Sequence, residues 1–125
     1  MKEATKKKIL ILEDEKPLAH ALLLKLTHEG YEVITMDNGE TGISILEKEK
    51  FDLVLCDLII PGLDGFEILE TIKTKKLNVP VIVMTNLNQE EDRKRAYDLG
   101  AIDFFVKSNN TLSQIVEGIT KKIGK

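Results

Sequence analysis

A doubly wound α/β sandwich, built as (βα)5, is the architecture this 125-residue chain predicts. Three observations carry it. Five short apolar runs alternate with five helix-like segments from end to end, which implies a parallel sheet with right-handed crossovers and helices on both faces. Two of the runs, Ile9 to Leu12 and Val81 to Met84, are unbroken apolar blocks, as central strands covered on both faces require. In the third observation, FDLVLCDLIIPGLDG from Phe51 to Gly65, the apolar run Leu53 to Cys56 stops abruptly at an acid, Asp57, and Pro61-Gly62 and Asp64-Gly65 mark a tight loop.

Taken in order, the strands are expected at Lys8 to Glu13, Tyr31 to Asp37, Asp52 to Asp57, Val81 to Thr85 and Ile102 to Lys107. The second carries Glu32 and Thr35 and the fifth carries Asp103, so these two read as sheet edges. The first helix opens around Pro17, which suits an initial turn, and stops at Gly30, a residue fit for a left-handed C-terminal position. The second follows Asn38 as N-cap and turns Ile43 and Leu46 inward. The third begins near Asp64 and packs Ile68, Leu69 and Ile72. The fourth, Gln89 to Leu99, is unusually polar and ends at Gly100. The fifth has a capping box, Thr111 with Gln114, followed by the stripe Leu112, Ile115, Val116, Ile119 and Ile123.

Composition narrows the function classes. With 42% hydrophobic and 31% charged residues the chain is neither disordered nor membrane-embedded. A net charge of −3 gives no electrostatic case for nucleic acid, and Lys6-Lys7-Lys8 reads as a solvated lead-in to the first strand. Cys56 is the single cysteine, which excludes an intrachain disulfide and fits a reducing cytosol; its place in a buried strand makes it core filler. The apolar run Ile9 to Leu12 is too short, and Glu13-Asp14-Glu15 behind it too acidic, for a secretory signal. No stretch is long enough to span a bilayer, so a cytoplasmic protein without membrane association is expected. No linker or internal repeat is visible. The sequence reads as one domain over residues 1–125, with its core at about 8–123 and no effector domain within it.

The candidate site lies at the strand ends. Glu13 and Asp14 end the first strand and Asp57 ends the third; if these strands are neighbours, three carboxylates converge at one edge of the sheet. Two carboxylates about 4 Å apart repel by roughly 4 kcal/mol at an effective dielectric near 20. Such a cluster needs a raised pKa or a bound cation, and an all-oxygen donor set suits Mg2+ best. The fourth and fifth strands end in Thr85 and Lys107, a hydroxyl and an ammonium suited to phosphoryl oxygens.

In joint order and spacing these residues resemble a response-regulator receiver domain of two-component signalling, a stand-alone CheY-like one, over Lys8 to Ile123. The resemblance implies a flavodoxin-like sheet of order 2-1-3-4-5. It makes Asp57 the phosphoryl acceptor, supplied by a histidine kinase or a histidine phosphotransfer protein, in a phosphorylation switch rather than a turnover enzyme. Glu13 and Asp14 match the acidic pair that binds Mg2+ (or Mn2+), with Asp57 and the backbone carbonyl of Ile59 completing the protein ligands. Thr85 matches the switch hydroxyl, Phe104 the switch aromatic and Lys107 the phosphate-pairing lysine; Pro61, Gly62, Asp64 and Gly65 match the loop after the acceptor. On this reading phosphate draws Thr85 inward and the space it vacates admits Phe104.

Four positions depart from the family pattern. Ser108 follows Lys107 where the family has proline in a cis peptide; a non-proline cis bond costs about 2.5–4 kcal/mol, so a trans bond or a strained one is expected. Asn86 follows Thr85 where the family has a small residue, and is expected to restrict access to Asp57 or to hydrogen-bond the phosphoryl group. Ile59 and Leu87 flank the path of the hydrolytic water in the family; both are apolar here, which predicts slow self-dephosphorylation.

For partners, the first helix is apolar over a wide arc from Leu24 to Leu23, wider than a sheet covers, and offers a docking face for a kinase-side helix. The surface of the fourth helix, fifth strand and fifth helix is where receivers bind an output partner or a second receiver. The competing readings are a phosphorylation-independent binding module that keeps the pocket unused, a flavodoxin-like electron carrier and an aspartate-dependent phosphatase. The carrier needs a Ser/Thr/Gly-rich phosphate loop where this chain has Glu13-Asp14-Glu15, and the haloacid-dehalogenase type of phosphatase needs a D-x-D motif on the first strand.

Overall fold

The apolar run Ile9 to Leu12 is fully buried on both sides, and that burial puts the first strand inside the sheet. In this computed structural model, which describes residues 5–125, the chain runs β1 (Lys8–Leu12), α1 (Lys16–His28), β2 (Glu32–Met36), α2 (Gly39–Lys48), β3 (Leu53–Cys56), α3 (Gly65–Thr74), β4 (Val81–Thr85), α4 (Glu90–Asp98), β5 (Asp103–Val106) and α5 (Leu112–Ile123). The five strands pair in parallel in the order β2-β1-β3-β4-β5, so the two polar strands are the edges, as the sequence predicts.

Alternation along the strands divides the core in two. Ile9, Ile11, Leu53, Leu55, Ile82 and Met84 face α1 and α5, meeting Leu22, Leu26, Ile115 and Ile119. Leu10, Leu12, Val54, Cys56, Val81 and Val83 face the opposite layer, meeting Ile43 and Leu46 of α2, Ile68 and Ile72 of α3, and Ala96 of α4.

Local signals account for the helix ends. The Asn38 side chain accepts from the Thr41 N–H, and both Asp64/Glu67 and Thr111/Gln114 form complete capping boxes. The first of those boxes was not expected from the sequence. Pro17 lies in the first turn of α1, and Gly30 closes that helix at φ +104°. Four strands are one or two residues shorter than expected because the end residues leave the ladder. Glu13 and Asp57 nevertheless keep backbone bonds to the neighbouring strand, through Glu13 N–H to Met36 O (3.0 Å) and Asp57 N–H to Leu12 O (3.1 Å). The two acids therefore have rigid backbones and side chains free of the sheet.

Candidate functional site

Adjacent parallel strands bring their carboxyl ends together, and here β1, β3 and β5 deliver three acids and a lysine to one cleft. Lys107 Nζ lies 2.6 Å from Asp57 Oδ2, 2.6 Å from Glu13 Oε1 and 2.6 Å from Glu15 Oε2. The lysine side chain is only 10% exposed, and those of Glu13 and Asp57 are buried. Asp57 Oδ1 accepts the Ile59 N–H at 3.1 Å, and Glu13 Oε2 accepts the Glu15 N–H at 3.0 Å. The contact between Lys107 and Glu13 Oε1 is an ion pair without hydrogen-bond geometry, which leaves this buried oxygen with a charge beside it and no directed donor.

Electrostatics follow from that packing. Burial is the largest influence on Glu13 and raises its carboxyl; Lys107 and the Glu15 N–H pull it down, nearby Asp57 pushes it up, and the balance stays above the ordinary value. Burial alone would lower Lys107, but its contacts with Asp57, Glu13 and Glu15 outweigh this and hold the ammonium protonated well beyond the usual lysine range. Burial, with the charges of Asp57, Glu13 and Asp64 adding to it, pushes the Cys56 thiol far up, so it is no nucleophile. The sequence posed a choice between a raised pKa and a bound cation. Lys107 supplies an internal counter-ion to the cluster, and burial raises Glu13.

Asp14 is exposed at the rim. Carboxylate oxygens of Glu13, Asp14 and Asp57 nevertheless all lie within 4.8 Å of one another, a hard-oxygen set of the kind that holds a divalent cation. The orphaned Glu13 Oε1 fits the same reading, since a buried anionic oxygen without a donor has a lone pair to give.

Thr85 is fully buried at the end of β4, and its Oγ1 accepts the Leu87 N–H at 3.3 Å. No peptide among the described residues is cis, so Lys107–Ser108 is the trans bond that serine favours; it opens a single 3-10 turn, Lys107–Asn109. The Asn86 amide oxygen accepts the Ser108 N–H at 3.0 Å. Phe104 is buried, 5% exposed, with the Arg93 guanidinium 4.9 Å from its ring centre. It points to the α2–α4 layer because β5 alternates, with Phe104 and Val106 facing one side and Phe105 the other.

The loop after Asp57 is held close to its neighbours. A Cβ at Gly65 would lie 2.5 Å from Leu58 Cα and 2.7 Å from Asp57 O, so only glycine lets α3 start this near the loop after β3. Ile59 is left 58% exposed beside Asp57, and Leu87 is half-buried. Glu15 was not singled out by the sequence as a site residue, although it is one of the three carboxylates on Lys107. Its only signal was its place in the Glu13-Asp14-Glu15 run. On α1, Ala19, Leu22 and Leu26 are buried while Leu24 stays 58% exposed, so part of the wide apolar arc does remain outside the core.

Comparison with known proteins agrees with the geometry. The model of the response regulator receiver domain family matches residues 9–119. The chain is 37% identical over 101 residues to the alkaline phosphatase synthesis transcriptional regulatory protein PhoP of Bacillus subtilis (strain 168), covering 81% of this chain and 42% of that protein. It is 40% identical over 105 residues to the probable transcriptional regulator ycf27 of Porphyra purpurea, covering 84% of this chain and 43% of that protein. The chain thus spans less than half the length of these two relatives. Among solved structures it is similar to a CheY-like response regulator receiver domain protein from Methanospirillum hungatei JF-1 (TM-score 0.88, 27% identity, 95% of this chain and 94% of that one). It is also similar to the phosphorylated cyanobacterial phytochrome response regulator RcpA (TM-score 0.83, 33% identity, 95% and 94%).

Proposed function

The chain belongs to the response regulator receiver domain family, the phosphorylation switches of two-component signalling, and from that premise we propose that Asp57 is its phosphoryl acceptor. The observation that carries the assignment is the seat of Lys107. One ammonium bridges buried Asp57 and Glu13, so the carboxylate at the end of β3 stands beside a fixed positive charge. The phosphorylated state of RcpA, a similar structure, supports the same reading.

The donor is a histidine kinase or a histidine phosphotransfer protein, and its docking face is α1, where Leu24 stands clear of the core. An oxygen of Asp57 attacks phosphorus while the bond from phosphorus to the donor breaks, and the electron pair of that bond leaves with the donor. The product is an acyl phosphate. Glu13, Asp14, Asp57 and the Ile59 backbone carbonyl would hold Mg2+, which, when bound, offsets the negative charge of the transferring group. Lys107 gives up at least one of its carboxylate contacts to pair with the phosphoryl oxygens.

Thr85 reports the product. Its Oγ1 only accepts, over a long 3.3 Å bond from the Leu87 N–H, so its own proton is free to donate to a phosphoryl oxygen. Moving Thr85 then displaces Leu87 and the loop into α4. Phe104, already covered by Arg93, transmits that motion to the surface of α4, β5 and α5, where an output partner or a second copy binds. Ile59 and Leu87 have no group to orient a hydrolytic water, so the phosphoryl group is long-lived.

A second reading, a binding module that works without phosphate, is favoured by one observation. Asn86 and Ser108, both departures from the receiver pattern, are bonded to each other beside Lys107. Intact mass after incubation with Mg2+ and a small acyl phosphate separates the two. One added phosphoryl group that needs both the metal and Asp57, and is absent in Asp57→Asn, is the expected result. No labelling with any donor leaves the binding module.

A further inference from the structure

Both backbone groups that flank Lys107 are held by asparagine side chains. The Val106 carbonyl on one side accepts from Asn110 Nδ2 at 3.0 Å. The Ser108 N–H on the other donates to Asn86 Oδ1 at 3.0 Å. Between them Lys107 opens the turn Lys107–Asn109 and sends its ammonium to Asp57, Glu13 and Glu15.

We propose that Asn86 is a positioning residue for Lys107, acting through the Ser108 N–H, and that Asn86 and Ser108 form one unit. The inference rests on the acceptor role assigned above to Asp57.

The chemistry requires the two residues together. A proline at 108 has no N–H, and Asn86 would have nothing to hold. Proline would also drive Lys107 out of the helical region that the turn uses. Conversely, Ser108 supplies an N–H that an asparagine at 86 can hold, whereas a small apolar residue there has no acceptor and leaves that amide to water. Asn86 directly follows Thr85, so the bond also ties the loop after β4 to the loop after β5. Thr85 and Lys107, the two groups expected to meet the phosphoryl oxygens, are therefore joined by a side-chain strap in addition to the sheet, where Thr85 already pairs with Val106.

An exposed bond of this kind contributes little to global stability, because water replaces it in the unfolded chain. Its effect is on where Lys107 stands. Losing one ordinary hydrogen bond's worth of placement corresponds to about a fivefold change in rate.

The test uses Asn86→Ala and Asn86→Asp in the wild-type and Lys107→Met backgrounds, with two readouts. One is the exchange rate of the Ser108 amide by NMR, which needs no phosphorylation. The other is the initial phosphorylation rate at saturating Mg2+ and acyl phosphate. Asn86→Ala is expected to speed Ser108 exchange and slow phosphorylation about fivefold, while Asn86→Asp, which keeps an acceptor oxygen, retains slow exchange. In the Lys107→Met background Asn86→Ala should have no further effect on rate. Equal slowing in both backgrounds, or unchanged exchange in Asn86→Ala, overturns the proposal. If wild type is not phosphorylated but Ser108 exchange responds as stated, the acceptor reading fails while the strap itself stands.

Discussion

Replacing Lys107 with methionine keeps most of the side chain's bulk and removes the one charge that Glu13 and Asp57 share. The two carboxylate side chains are buried at 0% and 6% exposure, whereas Glu15 is 59% exposed and contributes little. Removing one partner of a buried ion pair costs about 3–5 kcal/mol. The lower end applies, because Glu13 already takes up a proton more readily than a free carboxyl and so relieves part of the repulsion. A loss of about 3 kcal/mol in a chain of this size lowers Tm by roughly 12 °C. A divalent cation at a hundred times its Kd should return about 2.7 kcal/mol, since it replaces the missing charge. The pH dependence has a definite sign. Lys107 is protonated in folded and unfolded chains alike until about pH 10, so its stabilisation is constant near neutrality and is lost only as pH rises through its raised folded value. Glu13 has the same sign in a lower pH window: its raised folded value means this group favours the folded state increasingly as pH falls. The deficit of Lys107→Met should therefore shrink on acidification. Thermal melts in EDTA and in Mg2+, at pH 5 and pH 8, measure the deficit, its recovery by the metal and its shrinkage in acid. An unchanged Tm in EDTA, with no larger gain from Mg2+ than wild type shows, would refute the internal counter-ion.

Gly65→Ala should destabilise by about 1–3 kcal/mol, read as a lower urea midpoint, because its Cβ meets backbone atoms of Asp57 and Leu58 that cannot turn away. Mg2+ affinity, measured by calorimetry between roughly pH 5 and 8, should weaken as pH falls through the raised Glu13 value, since only the ionised carboxylate is a ligand; Glu13→Gln should bind more weakly and lose that slope, and a flat wild-type profile would count against Glu13 as a ligand. Ile59→Asn and Leu87→Glu each supply a polar group beside the acyl phosphate and should shorten its half-life by several-fold to about a hundredfold, up to the low end of general acid–base assistance, because they orient water without a tuned base; a half-life unchanged in both variants removes these residues as modulators.

How much of this was legible without coordinates depends on the range of the interaction. The five strands and the order of their burial follow from local pattern, and Val81 to Thr85 was placed to the residue. The convergence of Glu13, Asp57 and Lys107 was legible because parallel strands all end at the same edge. Glu15 was not, because it reaches Lys107 from beyond the strand end, where backbone direction decides and pattern is silent. The Asn86 contact was not legible for a related reason. A polar residue next to Thr85 suggested a ligand for phosphate, but its partner is an amide 22 positions away whose freedom depends on Ser108 not being proline. Phe104 was expected to move in upon phosphorylation; which face of β5 it occupies was set by alternation, while its cover by Arg93 depended on the pose of α4.

That pose has an unusual origin. Ala96 is the one residue of α4 that is fully in the core, so apolar burial alone anchors this helix weakly. Its other ties are cationic. Arg93 lies over Phe104 of β5, and Arg95 lies 4.1 Å over Phe66 of α3. Each such contact is worth about 0.5–1 kcal/mol when exposed and more when desolvated, comparable to the burial of a small side chain. The difference lies in specificity. A leucine in place of Arg93 would hold α4 to any apolar surface, whereas a guanidinium over a ring holds it only while Phe104 presents its face. The helix next to the β4 loop is thus secured by the aromatic ring it would have to sense, and an element with so few apolar contacts belongs to the part of the fold that opens at least cost. A displacement of Thr85 that disturbs Phe104 would act on α4 through one of its few attachments.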